Sequence, residues 1–514
     1  MGDEAGLSDA ASDERTPGTD EHGTSPEPSP AVAPDASVPP DAARDAGVPV
    51  DHGGTALPAN PFQERNGVMY HYLDALVQPP PAFDTYVPVR TPMMRFTDIT
   101  QRIRSGWYTK RGFYHLRLYC PYKSVDNFDG RDFRGVPSVD FFDTDEVRNG
   151  SLEEFSEMTW AANDAGIAVS MYISLLFVHE DSVHLSGHPE VFRVNGRAPN
   201  DSLVPTDTLD EARYPFPTRN SSRQRLATSW GFPALDYSKQ ETREFARQVL
   251  TFWMDRGVDG FEFDSPGGTL GLDLTDATDI FIDHPMSHSG RSKWLAAESE
   301  LADYDNPFSD RIGFTHLLLN GDDDVSSLVS DIFNGAAGVD TLEERFSSVL
   351  DSRRAVGRGA WTWSLYDPSL SGEQRALDAA VHAGNGVLYS IDYEAIYDRL
   401  STRQQSLYDE VFATIAKTSA LAPGASRARV PTRARGAKHY AVIRTSVDGA
   451  DSAVGVFNFA STQASISLDL NGLGVPSQTP TDLRTDTAAA PIVGPTYTVV
   501  LPAYGYLFLQ VSRD

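Results

Sequence analysis

From about residue 59 to residue 424, short apolar runs alternate with amphipathic stretches, and this alternation restricts the fold more than any other feature of the chain. GFYHLRLYCP (112–121), GIAVSMYISLL (166–176), GVDGFEFD (257–264), KWLAAE (293–298), GAWTWSLYD (359–367) and GNGVLYSI (384–391) have the character of parallel strands covered on both faces. Between them lie SLEEFSEMTWAANDAG (151–166) and SKQETREFARQVLTFWMDRG (238–257). In the second, Phe245, Val249, Phe252 and Trp253 recur at helical spacing. Helices between buried strands are βα units, and the length suits a (β/α)8 TIM barrel over 59–424. The polar, Pro- and Asn-rich segment 177–235 is too long for a structureless loop, so an inserted subdomain after strand 3, at the barrel mouth, is expected. Beyond 424 the period changes to 2. HYAVIRTS, AVGVFNFA, ASISLDLNG and YTVVLPAYGYLFLQV predict a C-terminal antiparallel β-sandwich over 425–514.

Residues 1–58 cannot bury enough apolar surface to offset the entropy of ordering them, as in TSPEPSPAVAPDASVPPDAARDAGVPV. They are expected to be a disordered acidic spacer, either a tether to a cell surface or a linker without a task. The formal charge of −29 argues against nucleic acid or an anionic membrane as partner. About ten of those charges are local, since 1–58 carries twelve acidic and two basic residues. The single cysteine, Cys120, excludes an intrachain disulfide and a cysteine-rich metal site. No apolar run approaches a membrane span, and MGDEAGLSDA lacks a signal peptide's basic start and apolar region. So polar a beginning suits a secreted or envelope-associated protein whose export signal has been removed. Oligomeric state is not legible.

Barrel active sites lie at the C-terminal ends of the strands, so the acids that end predicted strands carry the most weight. Three do: Asp264 ends GFEFD, Glu298 ends WLAAE and Asp367 ends TWSLYD. Glycoside hydrolysis with retention needs a carboxylate nucleophile and, about 5 Å away, a second carboxyl that donates a proton to the leaving oxygen. Any one of these acids alone is more readily explained as a helix or loop cap. Three in one barrel are not.

The order of motifs resembles the α-amylase family of retaining glycoside hydrolases (family 13) over roughly residues 100–514. LYCPYKS resembles that family's first-strand end, and GSLEEFSEMTWAANDAGIAVSMYI resembles the segment leading into its third strand. PALDYSKQETREFARQVLTFWMDRGVDGFEFD is similar to its P-D-L-N … G-V-D-G-F-R-x-D run. WLAAE resembles the fifth-strand motif, SLYD stands where the family has N-H-D, and LYDEVFATIAKTSALAPG resembles the last barrel helix. The resemblance implies Asp264 as nucleophile, Glu298 as general acid/base and Asp367 as transition-state stabiliser. It also exposes departures. Tyr172, Leu176 and Phe177 replace the family's third-strand aspartate and the Asn-His pair, Glu262 replaces the fourth-strand arginine, and Tyr366 replaces the seventh-strand histidine.

Glu262 and Asp264 are two apart on one strand and so share a face. Two carboxylates at that range resist double ionisation. A cation from elsewhere could offset the pair, Glu262 could bind sugar or join the chemistry, or the site could be silent. The lost polar groups point away from ordinary starch. Glu262, His179 and the aromatics Tyr172, Phe177, Tyr366 and Trp363 are the expected substrate contacts, whereas Trp361 reads as core. His179-Glu180-Asp181 has the residue types of a metal site but reads as an exposed loop, so no metal ligands are assigned. GDDDVSS (321–327) lacks the spacing of a calcium loop and reads as a solvated turn. SPGGTLG lacks the context for binding phosphate. No cofactor is expected, and a structural calcium stays open. The expected protein is a glycoside hydrolase or transglycosylase acting on α-glycosidic bonds of an oligo- or polysaccharide. The alternatives are a catalytically silent carbohydrate-binding relative, or a glycosidase that pairs Glu262 with Glu298.

Overall fold

Eight parallel strands close on themselves in chain order: Gly67–Tyr72 (β1), His115–Tyr119 (β2), Ala168–Ile173 (β3), Gly260–Asp264 (β4), Trp294–Glu298 (β5), His316–Leu318 (β6), Gly359–Trp363 (β7) and Leu388–Ile391 (β8). The ring closes where Gly67, Val68 and Met69 of β1 pair with Tyr389, Ser390 and Ile391 of β8. The computed structural model describes residues 67–72, 95–124, 136–147, 149–193, 228–229, 232–264, 294–298, 316–318, 325–356, 359–363, 370–391, 400–422, 424–433 and 438–513. The acidic segment 1–58 lies outside them, as does 194–227 of the segment expected to form an insertion. Six strands fall within the apolar runs of the sequence. β1 and β6 do not, and because β1 precedes it, LYCPYKS lies at the exit of the barrel's second strand rather than its first.

Helices fill the described connections. Phe96–Arg104 (α1) follows β1, Leu152–Asp164 (α2) follows β2, and Gln240–Met254 (α3) follows β3. Val325–Asn334 (α4) and Val339–Val356 (α5) precede β7, Gly372–Gly384 (α6) joins β7 to β8, and Thr402–Ile415 (α7) follows β8. The connections 265–293 and 299–315, after β4 and β5, lie outside the described residues, so the alternation is visible after six of the eight strands. Local sequence explains the boundaries. Ser151 accepts from the Glu154 amide and Glu154 accepts from the Ser151 amide, a capping box that starts α2. Ser371 with Gln374 and Ser401 with Gln404 start α6 and α7 in the same way. Gly166 and Gly257, at φ 71° and 89°, end α2 and α3 in the left-handed conformation and feed the chain into β3 and β4.

The strands are two-faced. In β2, Leu116 and Leu118 point outward into the core under the helices, with Val169, Met171, Phe261 and Phe263 from β3 and β4. The alternate residues His115, Arg117 and Tyr119 face the barrel interior with Ser170, Tyr172 and Glu262. Low in the barrel, His115 Nε2 lies 2.6 Å from Ser170 Oγ, and the His115 ring meets Trp294 edge-on at 4.9 Å.

The C-terminal part is two antiparallel sheets. Ser426–Arg429 (β9), His439–Thr445 (β10) and Ser452–Asn458 (β11) lie in one, Ala464–Asp469 (β12) in the other. Thr481–Asp482 (β13) and Thr487–Ala488 (β14) return to the first, Thr496–Leu501 (β15) pairs with β12, and Tyr506–Val511 (β16) lies between β11 and β13. Tyr497, Val499 and Leu501 alternate inward along β15, closing a second core with Ile443, Val456 and Leu509. Barrel and sandwich belong to one compact unit. Arg444 of β10 donates to the carbonyls of Ala422 (2.7 Å) and Ala425 (3.2 Å) and reaches that of Gly384 at the end of α6. Arg427 of β9 pairs with Glu343 of α5 and donates to Asn385 Oδ1 at 2.5 Å.

Candidate active site

The carboxyl ends of β3, β4 and β5 bring the candidate acids together by register. Tyr172 stands opposite Glu262, Glu262 opposite Ala296, and Asp264 opposite Glu298. Neighbouring strands lie about 4.8 Å apart, so the backbones of Asp264 and Glu298 are as close as two strands of a sheet allow. For these two residues, and for Trp361 and Trp363 of β7, the backbone is described. Asp367 and Tyr366 lie outside the described residues.

Glu262 has a cation, supplied by another strand of the barrel. Arg117 of β2 forms an ion pair through Nε with Glu262 Oε2, and both side chains are essentially fully buried. β2 and β4 are not neighbours; β3 runs between them. A barrel interior is filled in layers by side chains from alternate strands, which is how residues of β2 and β4 come to meet. The Arg117 guanidinium also lies 5.8 Å from the Tyr172 ring centroid, and Tyr172 stacks on Tyr119 at 4.9 Å. Direct contact with a guanidinium favours the ionised carboxylate against the opposing effect of burial. The sequence does hold a signal for Arg117: the polar residues of HLRLY recur with period 2 inside an apolar run.

Tyrosine hydroxyls tie the strand exits. Tyr122 donates to the Val136 carbonyl at 2.8 Å, lies 3.2 Å from Cys120 Sγ and accepts from the Ser174 amide. Cys120 has φ 44°, a left-handed backbone uncommon for a residue with a side chain, at the point where β2 ends. Tyr237 donates to the Leu175 carbonyl at 2.6 Å, and burial pushes its phenol well above the ordinary range. Phe177 is buried, its ring stacked on Phe232 at 5.5 Å, and its backbone bridges to Ala234. Tyr172 and Phe177 are therefore 4% and 2% exposed, packed against aromatic partners rather than forming an open rim. His179 lies 5.8 Å from Phe232, its Nδ1 accepts from the Asp181 amide, and its Nε2 is 3.6 Å from Glu180.

The ends of the segment after β3 are strapped together. Lys239 donates to the carbonyls of Glu190 and Phe192. Asp236 meets Arg193 and Lys239, each at 3.6 Å. Partial burial opposes its charge, but the Ser238 hydroxyl and the two cations outweigh it and hold its pKa below the ordinary value. Among the described residues, no group of three or more His, Cys, Asp or Glu side chains could hold a metal ion, and no helix is long and apolar enough to cross a membrane.

Solved structures of amylase-type enzymes match this fold, a closed parallel barrel followed by an antiparallel sandwich, over most of the chain's length. An Anoxybacillus α-amylase described as a new glycosyl hydrolase subclass has a TM-score of 0.64 at 13% identity, covering 88% of this chain and 99% of that one. The α-amylase of Geobacillus thermoleovorans, complexed with acarbose, gives 0.63 at 11% identity, with 88% and 99% covered. A cyclic α-maltosyl-(1→6)-maltose hydrolase from Arthrobacter globiformis gives 0.61 at 15%, with 87% and 99% covered. No family model matches the sequence, and no curated protein matches it. At these identities the likeness is one of fold: the chain has the amylase-type fold and is far removed in sequence.

Proposed function

We propose that this chain is a carbohydrate-active enzyme that cleaves or transfers α-glycosidic bonds with retention, on an oligo- or polysaccharide other than ordinary starch. The observation that carries the reading is the direct register of Asp264 and Glu298 on adjacent strands at the exit of a closed parallel barrel. Asp264 is the nucleophile. Its carboxylate attacks the anomeric carbon while Glu298 delivers a proton to the leaving oxygen. Glu298 then takes a proton from water, or from an acceptor hydroxyl, as that oxygen displaces Asp264. Asp367 stabilises the oxocarbenium-like centre. His179, Tyr366 and Trp363 are assigned to substrate. No cofactor takes part.

The reading extends to organisation: a (β/α)8 barrel over 59–424 with the insertion 177–235 over its mouth, a sandwich over 425–514, and 1–58 as spacer for a secreted or envelope-associated protein. Neighbours bound to acarbose and maltose support a glycan ligand. The ion pair with Arg117 counts against Glu262 as the proton donor, because a donor must carry its proton at working pH.

The test is product release from a broad panel of oligo- and polysaccharides by wild type beside Asp264→Asn. Turnover by wild type that the variant abolishes supports the reading and reveals the sugar. Binding of the same panel without turnover would instead identify a silent carbohydrate-binding scaffold.

A further inference from the structure

We propose that Arg117 is a positioning residue that fixes the proton count of the strand-end acids: it holds Glu262 as a carboxylate, so that the one exchangeable proton of the array belongs to Glu298. The inference rests on the reading of Asp264 and Glu298 given above, and it adds a residue and a role that the sequence did not single out.

The argument starts from charge. Glu262 lies between Tyr172 and Ala296 in register, essentially without solvent contact, two residues before Asp264. A carboxylate so placed, without compensation, would take up a proton. It would then compete with Glu298 for the proton that departure of the leaving group requires. Arg117 removes that competition. Its guanidinium contacts Glu262 across β3, the pair carries no net charge, and arginine does not lose its proton under any condition the protein meets. Asp264, two residues further along β4, then follows a neutralised pair rather than a lone buried carboxylate.

Geometry favours this ordered role over incidental packing. Arg117 is centred on the inner face of β2, and its cation is confined beside the Tyr172 ring, which Tyr119 covers. The guanidinium is thus held on one side by a carboxylate and on another by an aromatic face.

The test uses the full chain and separates the electrostatic claim from the catalytic one. Wild type, Arg117→Met, Glu262→Gln and the double variant Arg117→Met/Glu262→Gln are compared by infrared spectroscopy for a protonated carboxyl near neutral pH, and by chemical denaturation. Arg117→Met is expected to show a protonated-acid band that the double variant lacks, and the double variant is expected to be more stable than Arg117→Met. If Arg117→Met does not fold, recovery of folding in the double variant supports the claim, and failure of both overturns it. Absence of a new acid band in a folded Arg117→Met also overturns it. On any glycan that wild type turns over, Arg117→Met is expected to lose about a hundredfold in kcat with a smaller change in KM, and to show a displaced alkaline limb of the pH profile, the limb set by the proton on Glu298. Arg117→Lys is expected to restore most of the activity. An unchanged pH profile in Arg117→Met overturns the role in catalysis. If wild type turns over no glycan, the functional reading fails, while the spectroscopic and stability measurements still decide whether Arg117 fixes the charge of Glu262.

Discussion

Asp264 and Glu298 end neighbouring parallel strands in direct register, so the backbone holds the two acids one strand spacing apart. Retaining glycosidases keep their carboxyl groups about 5 Å apart, whereas inverting enzymes need about 6.5–9.5 Å to admit a water. If this pair acts as proposed, the first sugar released is expected to keep its anomeric configuration, which proton NMR during early turnover reads directly. An inverted first product would count against the assignment of this pair.

Replacing Gly260 tests the spacing on which that pair depends. A Cβ at this position would collide with the backbone carbonyl and Cβ of Trp294 on the adjacent strand. Backbone cannot swing aside as a long side chain can, so Gly260→Ala must shift β4 against β5. A loss of about 1–3 kcal/mol in denaturant unfolding is expected. Glycan turnover should fall further than that loss of stability explains, because Asp264 and Glu298 lie beyond the displaced register.

Acid should loosen the segment after β3 through His184. Its Nε2 accepts from the Phe141 amide at 3.0 Å, and its ring packs among Phe141, Phe142 and Phe245. Burial, aided by the charge of His188, lowers its pKa from 6.5 to about 4. Between those values the unfolded chain binds a proton that the folded chain refuses, so stability is full above about pH 6.5 and declines toward pH 4. The contribution is up to about 3 kcal/mol. Burial raises the pKa of neighbouring Asp140, which acts in the opposite sense, and His184→Gln isolates the histidine while keeping an acceptor for the amide. Denaturation midpoints at pH 7 and pH 5 should converge in the variant; a wild-type midpoint independent of pH would refute the assignment.

At the junction of barrel and sandwich, Arg427 pairs with Glu343 and donates to Tyr440 Oη, while Tyr440 donates to Glu343 at 2.7 Å. Arg427→Met leaves Glu343 partly buried beside a raised phenol and is expected to cost about 3 kcal/mol. Differential scanning calorimetry is the check. A single lowered transition is expected, since the two parts belong to one compact unit.

Six barrel strands were legible as apolar runs, and α2, α3 and α7 as the amphipathic stretches beside them, because each is long enough to show its own period. β1 and β6 were not. GVMYHY mixes polar and apolar residues without a continuous run, and HLL is three residues long, so each is a strand only because its neighbours complete it. Glu262 was legible as an anomaly, but its partner was not, since Arg117 and Glu262 meet only once alternate strands are closed into a ring. Exposure was the weakest inference: Tyr172 and Phe177 were expected to contact substrate, yet each is buried with an aromatic neighbour to cover it.

Closure of the ring through Met69 and Ile391 has a consequence for biogenesis. The first strand cannot find its second partner until nearly the whole barrel has left the ribosome, a delay on the order of tens of seconds. During that interval β1 presents an open hydrogen-bonding edge. A chain that waits in this way offers that edge to any other unpaired strand it meets until its synthesis is almost complete.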